Sequence, residues 1–115
     1  YAREHGATTI AITSVEHSSQ TSSRAASGKK LMDVADVVID TCGQLGDACL
    51  DVPGVATRMM PTSSIANAFI AQALSVLTAA YIARHGVEPP VFESLNADPT
   101  VNRNDEYYQK YTRLY

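Results

Sequence analysis

The residues of this chain whose types and spacing could do chemistry are two clusters of hydroxyls and one histidine between them. Thr13 and Ser14 open a stretch rich in serine and threonine that runs to Ser27, and Thr62, Ser63 and Ser64 form the second cluster. Hydroxyls next to the outward-pointing amides of a helix start suit an anion such as a phosphate. Those amides lack partners within the helix, and the helix dipole favours negative charge there. The cluster at 62–64 reads equally as a plain N-cap, and the serine-rich stretch as a solvated connection. His17, with Glu16, stands where a general acid or base would be useful, so these two are the candidate catalytic residues. His85 closes a helix, where positive charge is favourable, and His5 lies on a helix tail; both read as structural.

Other motifs are excluded. Ser27-Gly28-Lys29-Lys30 falls short of a nucleotide phosphate loop, which needs a glycine five residues before Gly28 and a hydroxyl after the first lysine. Ser23 and Lys30 stand at those places. Either lysine could add charge near a phosphate, although a solvated helix start is the plainer role. No Gly-x-Ser-x-Gly elbow and no His-Glu-x-x-His helix is present. Cys42 and Cys49 lack the second pair that a zinc site needs, and read as two half-buried thiols or a small disulfide loop. No metal and no organic cofactor is implied.

The elements that must position these groups follow from periodicity. Residues 8–13 form a strand that is apolar at Ile10, Ala11 and Ile12, as suits a strand covered on both sides in a parallel sheet. Residues 14–27 are a loop, 29–33 a short helical turn, and 34–40 a second strand. About twenty residues separate the strands, enough for a parallel crossover and too many for a tight hairpin. In open parallel sheets ligands bind beyond the carboxyl ends of the strands, and both hydroxyl clusters and the segment 40–47 fall there.

Gly43 and Gly46 mark a turn. Residues 49–52 and 55–60 read as extended arms about Pro53-Gly54. A long helix then runs from the second hydroxyl cluster to His85 and stops at Gly86. After the Pro89-Pro90 break, 91–94 is extended and 96–99 is a turn. Asn104 or Asp105 caps a last helix with Tyr107, Tyr111, Leu114 and Tyr115 on one face. The start, 1–6, looks like the last turn of a helix finished by Gly6, so the N-terminal half of the fold is expected to be absent. A sheet this small is not expected to be a stable monomer by itself.

Composition sets outer bounds. With 115 residues, 45% of them hydrophobic, and a net charge of −3, the chain argues against nucleic acid, which calls for a basic patch. No polybasic anchor and no secretory pattern is seen. The apolar run 65–83 is interrupted by Asn67, Gln72, Ser75 and Thr78. It reads as a buried helix of a soluble, cytoplasmic protein, not as a membrane span.

Taken in order, several segments resemble the C-terminal half of sugar isomerase (SIS) domains. They are 10–14, Ser27-Gly28-Lys29-Lys30, 33–40, Gly46-Asp47-Ala48, Pro61 with the hydroxyls 62–64 ahead of a long helix, 90–96 ending in Asn96, and the later Asn104. Ala25-Ala26, Gln44-Leu45 and Pro99 depart from that pattern. The resemblance implies a three-layer α/β/α parallel sheet of flavodoxin-like order, with 1–115 carrying only its C-terminal strands and helices. It implies a phosphorylated sugar or amino sugar as ligand and an isomerase or related enzyme. The alternative is a non-catalytic phosphosugar-sensing or oligomerisation module. Thr13, Ser14, Thr62, Ser63, Ser64, Asn96 and Asn104 would then be ligand-binding. A homo-oligomer, dimer or higher, is the expected assembly, with neither nucleic acid nor membrane as partner.

Overall fold

Two short apolar strands pair in parallel: β1, Ile10–Thr13, lies beside β2, Val37–Asp40, with Ile10 opposite Val37 and Thr13 opposite Asp40. The computed structural model describes residues 1–96 and 103–111. Each end of the pair is tied by a carboxylate. At the amino end, Asp36 accepts from the Thr9 amide at 2.8 Å and its hydroxyl at 2.7 Å, and meets the Arg3 guanidinium at 3.1 Å. The Thr9 amide, then its hydroxyl, then Arg3 hold this carboxyl below its ordinary 3.8. At the other end Asp40 accepts from the amides of Val15 at 3.0 Å and Cys42 at 2.9 Å. Those two bonds, Val15 first, lower its pKa in the same way.

The crossover between the strands contains more structure than the expected loop. α1, Val15–Gln20, begins directly after β1, and Ser14 caps it by accepting the His17 amide at 3.1 Å. The same hydroxyl residues that disfavour a helix interior are good at starting one. α2, Leu31–Val34, supplies the short turn before β2.

The arms at 48–61 pair with each other. β3, Ala48–Leu50, runs antiparallel to β4, Met59–Pro61. Between them the Val55 amide donates to the Val52 carbonyl at 3.0 Å, and Gly54 has φ +81, the signature of a Pro-Gly type II turn. The chain has the expected α/β character, without a three-layer parallel sheet among the described residues. It is mixed α/β, with one parallel and one antiparallel two-stranded sheet among the described residues. Pro53-Gly54 folds 48–61 back on itself, which satisfies those strands locally.

The chain divides into two compact units, Tyr1–Gln72 and Ala73–Tyr115. In the first, Ala11 is the sole buried apolar side chain among the described residues, while Ile10 is 56% exposed. The long helix α3, Ser63–Arg84, contains no buried residue, and Phe69 is 72% exposed. This corrects the expectation of a buried helix. Large apolar residues lie all round α3, so no single stripe directs one face inward. By length and composition alone α3 is also sufficient to cross a membrane.

The second unit contains α4, Asn104–Tyr111, whose first residue is buried. The Asn104 amide brackets Glu93, accepting its N–H at 2.9 Å and donating to its carbonyl at 2.9 Å. Phe92 packs on Tyr107 and Tyr108 at ring separations of 6.0 and 5.1 Å. The expected positions of Leu114, Tyr115 and the turn at 98–99 lie outside the described residues.

Candidate functional site

A cleft of about 290 Å³ opens at the carboxyl ends of β1 and β2, where a parallel pair places its ligands. Its walls come from four local structures of the first unit. β1 contributes Ile12 and Thr13, the start of α1 contributes Ser14 and His17, the loop after β2 contributes Thr41, Gln44 and Asp47, and α3 contributes Ser63 and Asn67.

The loop after β2 ties the others together. Its first link is the Ser14 hydroxyl, which donates to the Gly43 carbonyl while accepting the His17 amide. Gly43 is buried, and a Cβ there would meet Thr41 Oγ1 at 3.4 Å and both Ser14 and Thr62 at 3.5 Å. A glycine lets this loop pass between the two hydroxyl clusters. The second link is Gly46, whose amide donates to His17 Nδ1 at 3.1 Å. With that lone pair occupied, the neutral imidazole carries its hydrogen on Nε2 and acts as a donor.

Asp47 is the third link. Its carboxylate accepts from the Thr62 hydroxyl at 2.9 Å, the Ser63 amide at 2.8 Å and the Ser63 hydroxyl at 2.6 Å. The Ser63 hydroxyl leads in holding this carboxyl below 3.8, with partial burial opposing it and the Ser63 amide and Thr62 adding to it. The negative charge at the start of α3 is thus the protein's own. A similar arrangement holds at α1, where Asp40 takes the first amide. Cys42, Asp47 and Met60 all have positive φ without being glycine, so the backbone around this loop is held in sparsely populated conformations.

The residues singled out from the sequence are distributed as follows. Thr13, Ser14, His17 and Ser63 meet in the cleft; Thr62 stands behind Asp47, and neither it nor Ser64 lines the cleft. Glu16 is exposed on α1 and also does not line it, so the two candidate catalytic residues do not converge there. Asn104 belongs to the second unit and is engaged with Glu93; Asn96 is exposed, its amide donating to the Ser94 hydroxyl at 3.4 Å. Cys42 and Cys49 are free thiols. Among the described residues no three metal-ligating side chains converge.

Sequence reasoning placed the segment 40–47, and with it Thr41, Gln44 and Asp47, at the strand ends without giving those three a role, and it missed Asn67. Asn67 carried a usable signal: it interrupts an apolar helix one turn after Ser63, at i+4, and so shares its face. Which residues of 40–47 face the cleft depends on the path of that loop, which periodicity does not reveal.

Chemically, the cleft offers hydroxyls from Thr13, Ser14, Thr41 and Ser63, amides from Gln44 and Asn67, an imidazole donor and one engaged carboxylate. That set can exchange hydrogen bonds with a ligand rich in hydroxyl groups.

The chain is similar to UPF0309 proteins of several bacteria. It is 40% identical over 111 residues to one from Halalkalibacterium halodurans, covering 96% of this chain and 46% of that protein. It is 40% identical over 110 residues to one from Geobacillus kaustophilus, covering 96% and 44%. It is 38% identical over 111 residues to one from Streptomyces coelicolor, again covering 96% and 44%. The chain thus spans less than half the length of the curated relatives it matches. No family model matches the chain. These findings correct the resemblance to sugar isomerase domains. The similar proteins carry the UPF0309 name and no sugar isomerase designation, so the domain assignment and the isomerase activity that came with it lose their support.

Proposed function

We propose that this chain forms one wall of a binding site for a phosphorylated sugar or amino sugar. The observation that carries the reading is the cleft at the strand ends, walled by four hydroxyls, two amides and the His17 donor. Its volume of about 290 Å³ lies at the small end of small-molecule sites, which suits a monosaccharide and not a dinucleotide. Because Glu16 stands outside the cleft and His17 Nδ1 is engaged by Gly46, this wall binds without presenting an acid–base pair of its own. That favours recognition of the ligand over its conversion by these residues.

A second observation favours assembly. α3 is apolar all round yet uncovered, and Ile10 and Val37 of the strand pair are 56% and 45% exposed. A helix of that kind is stable when buried. We read α3 and the strand pair as packing against further protein, within a wider parallel sheet or a homo-oligomer, in the cytoplasm. The two free thiols agree with a reducing compartment.

The test is a thermal-shift panel of hexose and amino-sugar phosphates on the full-length protein. At least one member is expected to raise the Tm, since a ligand at 100 times its Kd stabilises by about 2.7 kcal/mol. No shift with any member at millimolar concentration would sink the reading.

A further inference from the structure

A second pocket, of about 510 Å³, adjoins the cleft through His17, which lines both. It is formed by the last turn of α1 and the loop after it, where Thr21, Ser22 and Ser23 lead to Arg24, and by Lys30 from the start of α2. Its chemistry differs from that of the cleft. Two cations line it, and among the described residues no carboxylate does. Arg3, Arg58 and Arg103 each meet a carboxylate within 3.2 Å, whereas Arg24 has no such partner among the described residues. Glu16 and Asp33, the acidic residues nearest in sequence, do not line the pocket, and Asp33 accepts the Lys30 backbone amide at 2.8 Å.

The loop is shaped by its own hydrogen bonds. The Thr21 hydroxyl donates to the His17 carbonyl at 3.0 Å, and the Ser23 hydroxyl donates to the Lys29 carbonyl at 2.8 Å while accepting the Ala25 amide at 3.1 Å. Lys30 Nζ donates to the Ser18 carbonyl, which places its ammonium at the carbonyl end of α1. That contact offsets the negative end of the helix and uses one of three ammonium hydrogens. The Arg24 fork, the remaining Lys30 hydrogens and the Ser22 hydroxyl are then donors in search of an anion. A planar guanidinium and a phosphate match in geometry as well as charge.

We propose that this pocket holds the phosphate of the ligand whose hydroxyls occupy the strand-end cleft, with Arg24 and Lys30 as charged donors and His17 between the two parts. The inference rests on the sugar-phosphate reading and adds the position of the charged group. It places the phosphate in the loop after α1 instead of at the start of α3, because Asp47 already fills that place with negative charge.

Calorimetric titration of the full-length protein with inorganic phosphate, glucosamine 6-phosphate and glucosamine separates the parts. Arg24→Gln removes no side-chain hydrogen bond among the described residues and is expected to leave the Tm unchanged while weakening phosphate binding about tenfold or more. Arg24→Lys is expected to recover part of that loss. Asn67→Ala should weaken the sugar phosphate and leave inorganic phosphate as before. A parent protein that binds no phosphate, or an Arg24→Gln variant that binds it equally well, overturns the pocket. Sugar-phosphate binding indifferent to Arg24→Gln does the same while leaving the cleft reading in place. Arg24-dependent phosphate binding without any sugar-phosphate binding upholds the pocket and overturns the sugar.

Discussion

The strand-end cleft and the helix α3 are organised by opposite forces. Around the cleft, segments 16 to 29 residues apart are joined by directed bonds: Ser14 to Gly43, Gly46 to His17, Asp47 to Ser63. Its geometry is defined although almost nothing nearby is fully buried. α3 has the reverse character, with abundant apolar surface and no buried residue. Hydrogen bonds are directional and can set a cleft's shape with little burial around it. Hydrophobic burial is not directional and needs a partner surface to act at all. The comparison teaches that directed bonds define the cleft while the apolar surface of α3 stays uncovered.

The sharpest way to break that contrast is at Phe69. If α3 is covered in the full-length protein, Phe69→Ala should cost on the order of 3–5 kcal/mol in urea denaturation. A change within about 0.5 kcal/mol, as for a surface position, would show that the helix stays uncovered and remove the contrast.

Asn104 tests whether directed bonds also organise the second unit. Its amide brackets Glu93 through two bonds of 2.9 Å and is buried. Asn104→Ala should cost about 1–3 kcal/mol and speed hydrogen exchange at the Glu93 amide. Unchanged exchange there would mean that the Phe92 and tyrosine rings hold the segment without it.

The smallest effect is expected at Asp47, which joins the cleft to α3. Its folded pKa lies below the ordinary 3.8, so its contribution is full above 3.8 and fades as pH falls through the lower folded value. Asp47→Asn should therefore melt a little earlier than the parent at neutral pH, and the gap should close in acid. A gap that persists undiminished in acid would show that the carboxylate charge does not hold the helix start.

Much of this was legible in the residues themselves. The apolar runs at 10–12 and 37–39 gave the parallel pair, and Gly86 marked the end of the long helix. The turn at Pro53-Gly54 was visible too, though not that it would close an antiparallel two-stranded sheet. α1 was hidden because its serines and histidine read as loop; only the pairing of Ser14 with the His17 amide reveals a helix start. The resemblance to sugar isomerase domains rested on short ordered motifs, and agreement of such motifs is weaker than similarity along the whole chain.

What the sequence by itself determined is local: which segments extend, which coil, where glycine and proline turn the chain, and that hydroxyls gather near strand ends. These follow from backbone sterics and side-chain hydrogen bonding within a few residues. Only the tertiary structure decided that Asp47, not a ligand, supplies the charge at the start of α3, and that Gly46 engages His17. It alone brought Arg24 and Lys30 into one pocket that no carboxylate lines among the described residues. Those outcomes depend on where a loop passes relative to residues far away in sequence, and no local preference encodes that path.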